Sequence, residues 1–167
     1  MKKIYFILFF LCLIPMIASA DVMDADKDGL FDDQEKNIYY TDPNNPDTDG
    51  DGFSDSLEVS YGYSPRHGDG SRLIEVDSDK DYLNDKWELI LGTGLMNPDS
   101  DGDLYLDGTE VAAGYDPLSS EPVKKEKLIK VNLAEQSLSY YFGEYLFDSF
   151  PISSGLSNMP TPEGQFT

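Results

Sequence analysis

Four short acidic loops constrain this chain more than any other feature. They read Asp24-Ala-Asp26-Lys-Asp28-Gly29, Asp47-Thr-Asp49-Gly-Asp51-Gly52, Asp77-Ser-Asp79-Lys-Asp81 and Asp99-Ser-Asp101-Gly-Asp103. Each continues to an Asp at its ninth position (Asp32, Asp55, Asp85, Asp107) and a Glu at its twelfth (Glu35, Glu58, Glu88, Glu110). Calcium is a hard cation that takes about six to eight oxygens, and a twelve-residue loop of this spacing supplies them. Side chains at positions one, three and five ligate, position seven gives a backbone carbonyl, position nine often acts through water, and the Glu at twelve gives two oxygens. The expected carbonyl donors are therefore Leu30, Phe53, Leu83 and Tyr105. Magnesium is less suited, because it prefers tight octahedral contacts and keeps its water.

Position six separates the loops. Gly29 and Gly52 stand there in the first two, where the chain must turn sharply, but Tyr82 and Leu104 occupy it in the third and fourth. A bulky side chain at positive φ is costly. The last two loops are therefore expected to bind more weakly, to use a different turn or to share ligands with a neighbour.

The charge distribution points the same way. Of a formal net charge of -20, nearly all lies between Asp21 and Pro122, where 27 Asp and Glu face 6 Lys and Arg. This excludes nucleic acid as a partner. Such density repels itself, so the segment is either disordered or neutralised by bound cations. Disorder alone does not require a Glu at the twelfth position of four loops.

The loops recur at spacings of 23, 30 and 22 residues, the size of one small stacked unit. Proline returns between them in Tyr40-Thr-Asp-Pro43, Tyr63-Ser-Pro65, Met96-Asn-Pro98 and Tyr115-Asp-Pro117, where it stops any helix. About two helical turns are expected after the ninth-position Asp, ending at Gly62, Gly92 and Gly114. Their apolar residues (Leu57, Val59, Trp87, Leu89 to Leu91, Val111) are expected to pack on the neighbouring loop or on the tyrosines near the prolines.

The motif Asp-x-Asp-x-Asp-Gly-x-x-Asp-x-x-Glu, followed by Thr-Asp-Pro-x-x-Pro and a second acidic loop, resembles the bacterial relatives of thrombospondin type 3 repeats. The resemblance covers Asp24 to about Pro117. A single loop also resembles an EF-hand or dockerin loop, but the prolines exclude the long entering helix of an EF-hand. The family implies a calcium-wrapped stalk without a conventional apolar core.

The first twenty residues read differently. Lys2 and Lys3 precede an apolar run from Ile4 to Ile17, and Ala18-Ser19-Ala20 follows, the pattern of a signal peptide. The run is shorter than the roughly 20 residues a membrane span needs. Cys12, the only cysteine, follows Phe9-Phe10-Leu11 and not the small residues of a lipidation site. Cleavage after Ala20 leaves no cysteine, so metal is the remaining candidate staple. The expected location is the periplasm, the cell envelope or the extracellular space, with no membrane span after cleavage.

At Ser119 the composition turns polar and then basic, which marks a linker over 119–127. Alternating patterns from Leu128 to Leu133, Leu138 to Phe142 and Tyr145 to Ile152 predict three antiparallel strands. Ile129-Lys-Val-Asn-Leu-Ala-Glu-Gln136, Tyr140-Tyr-Phe142, Phe150-Pro-Ile-Ser-Ser-Gly155 and Pro160-Thr-Pro-Glu-Gly-Gln-Phe166 resemble the beginning of an L,D-transpeptidase catalytic domain. That family acts on peptidoglycan stem peptides by cysteine acyl transfer with a histidine partner, and its nucleophile lies in a later Ser-x-Gly-Cys-x-Arg motif.

No such motif occurs here, and His67, the only histidine, reads as a solvent-exposed loop residue. The fold expected is thus a mostly irregular calcium-binding repeat array with short helices over 21–118, followed over 128–167 by a small β-meander. The resemblance makes that meander the start of an incomplete β-sandwich-like transpeptidase domain. The expected function is a fragment of an exported L,D-transpeptidase, without catalytic residues and inactive as given. The alternative is a secreted, non-enzymatic calcium-binding structural or adhesion module.

Overall fold

The computed structural model describes residues 23–153. The signal-peptide segment and the Pro160 to Phe166 motif lie outside the described residues.

Every repeat closes on itself in the same way. The amide at position nine donates to the carbonyl that precedes the loop: Asp32 to Met23, Asp55 to Pro46, Asp85 to Val76 and Asp107 to Pro98, at 2.9, 3.0, 2.9 and 3.1 Å. A helix starts at that same Asp. The helices are α1 (Asp32–Gln34, running on as a wider π turn over Glu35–Tyr39), α2 (Asp55–Tyr61), α3 (Asp85–Leu91) and α4 (Asp107–Ala113).

Ser54 and Asn84 cap α2 and α3 by accepting from the amides of Leu57 and Trp87, which satisfies donors that a helix start leaves free. Gly62, Gly92 and Gly114 end α2, α3 and α4 in the left-handed region, as their positions predict. Helices of seven residues do not persist alone in water. What holds them must come from the loops and from packing.

Three strands follow, β1 (Lys127–Asn132), β2 (Ser137–Phe142) and β3 (Tyr145–Pro151). They form one antiparallel sheet in the order β1-β2-β3, with Ile129 opposite Tyr140 and Leu138 opposite Phe150. Four short helices and a three-stranded meander are the mixed architecture that the patterning predicts. A bulge at Tyr140/Tyr141 shifts the β2/β3 register.

The core differs from expectation. Leu83 and Leu91 of repeat three and Val111 of α4 are buried together with Phe142 and Phe147 of the sheet. Trp87 stacks on Phe147 with ring centroids 4.6 Å apart and meets Tyr140 at 6.4 Å. Of the stripe expected to pack on the neighbouring loop or on the tyrosines near the prolines, Trp87, Ile90, Leu91 and Val111 pack with the C-terminal strands, and a small apolar core exists where the stalk resemblance implies none. The equivalent face of repeat two, formed by Phe53, Leu57 and Tyr61, is exposed.

The segment read as a linker is knit to repeat four. Asp116 N donates to Val123 O at 2.9 Å and Lys125 N to Gly114 O at 3.0 Å. Lys125 Nζ lies 3.1 Å from Asp116, and Lys127 Nζ donates to Ala112 O at 2.8 Å. Among the described residues no helix is long and apolar enough to cross a membrane.

Candidate metal centres

The first six residues of each loop wind tightly because their aspartates bind their own backbone. Asp47 Oδ1 accepts from the amides of Gly50 and Asp51, and its Oδ2 accepts from Gly52 at 2.9 Å. Asp77 and Asp99 repeat this pattern, with Tyr82 N and Leu104 N reaching Oδ2 at 3.1 and 3.0 Å. Loop one keeps the Lys27 N to Asp24 Oδ1 bond, at 2.7 Å. The Asp at position five then accepts from the amide at position seven in all four loops.

This winding gathers the carboxylates. In each of the sets Asp24/Asp26/Asp28, Asp47/Asp49/Asp51, Asp77/Asp79/Asp81 and Asp99/Asp101/Asp103, one oxygen per residue lies within 4.8 Å of the others. Position six turns in the same left-handed way everywhere, with φ of 109° at Gly29, 101° at Gly52, 81° at Tyr82 and 80° at Leu104. Loops three and four therefore use no different turn. Their side chains tolerate it by pointing to solvent, Tyr82 at 80% and Leu104 at 91% exposure.

Position four also takes positive φ, which patterning had not flagged at Lys27 (67°) and Lys80 (68°). Holding a non-glycine residue there costs about 1 kcal/mol. Leu104→Gly is therefore expected to stabilise the calcium-loaded chain by up to about 1 kcal/mol and so raise its unfolding midpoint, where glycine at an ordinary surface position lowers it. Thermal unfolding in millimolar calcium checks this, and a lower midpoint contradicts it.

The glutamates at position twelve are buried and feel the charges of the triad aspartates. Burial pushes the Glu35 carboxyl up to about 7, and the charges of Asp26 and Asp28 add to the effect. Glu58 and Glu110 rise to about 7 by burial and by their own position-three and position-five aspartates. Glu88 rises to about 9 for the same reasons, and Asp79 to about 7.

The unpaired oxygens repeat with the loops. The second oxygen at position three (Asp26, Asp49, Asp79, Asp101) is buried without a hydrogen-bond partner, as is an oxygen of Glu35, Glu58 and Glu110 and both oxygens of Glu88. Buried oxygens without partners are costly, and here the carboxylate ones stand at the same two positions of every loop. An all-oxygen donor set of this kind suits a hard cation such as calcium and not zinc or copper.

The carbonyls expected from position seven are those of Leu30, Phe53, Leu83 and Tyr105. Of these side chains, those of Leu30 and Leu83 are buried. The ninth-position aspartates act as braces. Asp32 accepts from Ala25 N at 2.9 Å, while Asp55, Asp85 and Asp107 use one oxygen for the position-two amide and the other for the hydroxyl of Thr48, Ser78 or Ser100. Any water-mediated ligation from position nine must share those oxygens.

The loops are also paired. Asp28 Oδ2 accepts from Ser56 N at 2.9 Å, and Ser56 Oγ donates to Asp28 O. Asp81 Oδ2 accepts from Gly108 N at 3.0 Å. Loops one and two form one pair, and three and four another. Between two and three, the corresponding amide of Lys86 donates instead to Leu73 O at 3.1 Å, within the longer connection. In that connection His67 is half-buried, with Nδ1 2.8 Å from Ser64 Oγ, and takes no part in a carboxylate triad.

No curated protein and no solved structure matches the chain. Residues 24–46, 47–62 and 99–120 each match the family model of the bacterial TSP3 repeat. The third loop lies outside those matches but has the same winding, triad and unpaired glutamate. Three bacterial TSP3 repeats are thus found in the chain, around a fourth loop of the same geometry.

Proposed function

We propose that residues 24–110 bind four calcium ions, one per loop, and form a calcium-stiffened segment of an exported protein. The observation that carries this reading is the content of the interior. Among the described residues eleven buried polar or charged side chains stand beside eight buried apolar ones. Eight of the eleven are acids: Glu35, Asp55, Glu58, Asp81, Asp85, Glu88, Asp107 and Glu110. None of these eight takes part in the salt bridges of the described residues, which join Lys36, Lys86 and Lys125 to other carboxylates.

Asp55, Asp81, Asp85 and Asp107 are held by hydrogen bonds, but Glu35, Glu58, Glu88 and Glu110 keep oxygens without a partner. Burying a charge in that state costs several kcal/mol, which so small a core does not offset four times over. Bound calcium supplies the positive charge this arrangement needs. Equilibrium dialysis of the full chain is expected to find four ions, and each of Glu35→Gln, Glu58→Gln, Glu88→Gln and Glu110→Gln is expected to remove or weaken one of them. Absence of binding at millimolar calcium overturns the reading.

For the C-terminal sheet, we infer the beginning of an L,D-transpeptidase domain that the calcium segment carries. The support is the ordered series of motifs from Ile129 to Phe166; the three strands fall where the alternating pattern from Leu128 to Ile152 predicts them. Peptidoglycan stem peptides are the substrate class this implies. The chain holds no catalytic cysteine motif, so the test is the coding sequence after Thr167, where a histidine and a Ser-x-Gly-Cys-x-Arg motif are expected. Their absence leaves the non-enzymatic structural or adhesion module.

A further inference from the structure

Loop three differs from the other loops in what lies behind it. Leu83, its position-seven residue, directs its side chain into the core with Phe142 and Phe147, while its carbonyl is the expected ligand. Glu88, its position-twelve residue, follows Trp87, which is stacked on Phe147 of β3. Glu88 is fully buried with both carboxylate oxygens unpartnered, and the charges of Asp79 and Asp81 act on it. Two adjacent features therefore point to a ligand at this loop, the Asp77/Asp79/Asp81 triad and the orphaned Glu88.

We propose that calcium at loop three is the latch that docks the C-terminal sheet onto α3. This rests on the calcium reading above but goes beyond it, because it assigns one ion to an interface and the other three to the array. Without a cation, both buried oxygens of Glu88 are left without a partner beside the triad, and giving them one, from water, shifts Leu83 or α3. Either movement carries Leu83 or Trp87 out of the contact with Phe142 and Phe147.

The ties through Lys125 and Lys127 hold the start of the sheet to repeat four, and little else would hold β3 to α3. The polar link between α3 and β3 is the half-exposed Lys86 to Asp148 pair at 3.7 Å, a type of contact worth about 1 kcal/mol or less. The equivalent residues of repeat two (Phe53, Leu57 and Tyr61) carry no sheet, so an ion at loop two has no such consequence.

Trp87 is the only tryptophan of the chain and reports on the contact directly. The full chain is titrated with calcium while Trp87 emission and amide exchange of β2 and β3 are followed, with bound ions counted by dialysis. Emission is expected to shift and exchange at 138–147 to slow with a common midpoint. Glu88→Gln should raise that midpoint at least about ten-fold, and Glu58→Gln should leave it within about two-fold.

Leu83→Ala keeps every carboxylate ligand. It should therefore bind the same number of ions with less than about half of the Trp87 shift, since the side chain that transmits the ion's effect is gone. Calcium bound with unchanged Trp87 emission and unchanged strand exchange overturns the latch while leaving the calcium array intact. No bound calcium overturns both.

Discussion

Chelation of calcium is expected to unfold residues 24–118 almost completely, with loss of helical ellipticity and of any cooperative thermal transition in that segment. The magnitudes decide it. A ligand at about one hundred times its dissociation constant stabilises the fold by about 2.7 kcal/mol per site, so four sites contribute on the order of 10 kcal/mol. A domain of this size has a total stability of about 5 to 15 kcal/mol. The array therefore has little or nothing left once the ions are gone.

The pH dependence in chelator should run opposite to that of most acidic proteins. Glu35, Glu58 and Glu110 are raised to about 7, and Glu88 to about 9, from the ordinary 4.5. A raised carboxyl means that the folded chain holds protons which the unfolded chain releases, so stability falls as pH rises. Residual structure in chelator is thus expected at pH 4 to be lost progressively from about pH 4.5 to 7, and further towards 9 because of Glu88. Circular dichroism in chelator from pH 4 to 9 measures this, and a fold that gains stability over that range contradicts it.

Gly108→Ala is expected to be among the most damaging single substitutions, although alanine is the better helix former by about 1 kcal/mol. Gly108 is the second residue of α4, and a Cβ there meets Asp81 O at 2.5 Å, Tyr82 C at 2.6 Å and Leu83 N at 2.7 Å. These are backbone atoms of loop three, held by the Gly108 N to Asp81 Oδ2 bond. They cannot move without disturbing the Asp77/Asp79/Asp81 triad.

The expected cost is at least about 2 kcal/mol, in the range of overpacking strain, with weaker binding at loop three as well as loop four. The control is Gly50→Ala, where no atom lies within 4 Å and the cost is that of φ 78° alone. A Gly108→Ala protein with unchanged unfolding midpoint and ion count contradicts the pairing of loops three and four.

Much of this was legible in the residues because it is local. Asp at positions one, three and five clusters through bonds that span at most five residues, so spacing alone foretells the triads. The strands read equally well, since Leu128 to Leu133 and Leu138 to Phe142 alternate and a tight turn joins each pair. Tyr82 and Leu104 were misleading. Their bulk argued for a different turn, but a side chain at positive φ that faces solvent meets nothing except its own backbone, and the loop bonds outweigh that strain.

What could not be read was long-range. The apolar stripe of α3 (Trp87, Leu89 to Leu91) is richer than that of α2 (Leu57, Val59), but neither names its partner, and Trp87 finds Phe147 while Leu57 finds solvent. The pairing through Ser56 and Gly108 is equally silent, because a serine and a glycine at the tenth position carry no periodic signal.

The same pairing sets where the array can be divided. A cut before Asp47 would strip Ser56 of both its acceptors in loop one, and a cut before Asp99 would take Gly108 from Asp81. Between Gly62 and Asp77 no such carboxylate-to-amide tie crosses from loop to loop, and Lys86 bonds within the connection instead. The unit of length in this segment is therefore two loops and not one. Shortened, extended or shuffled versions should keep loops in pairs, with the seam falling in the stretch that holds Ser64 and His67.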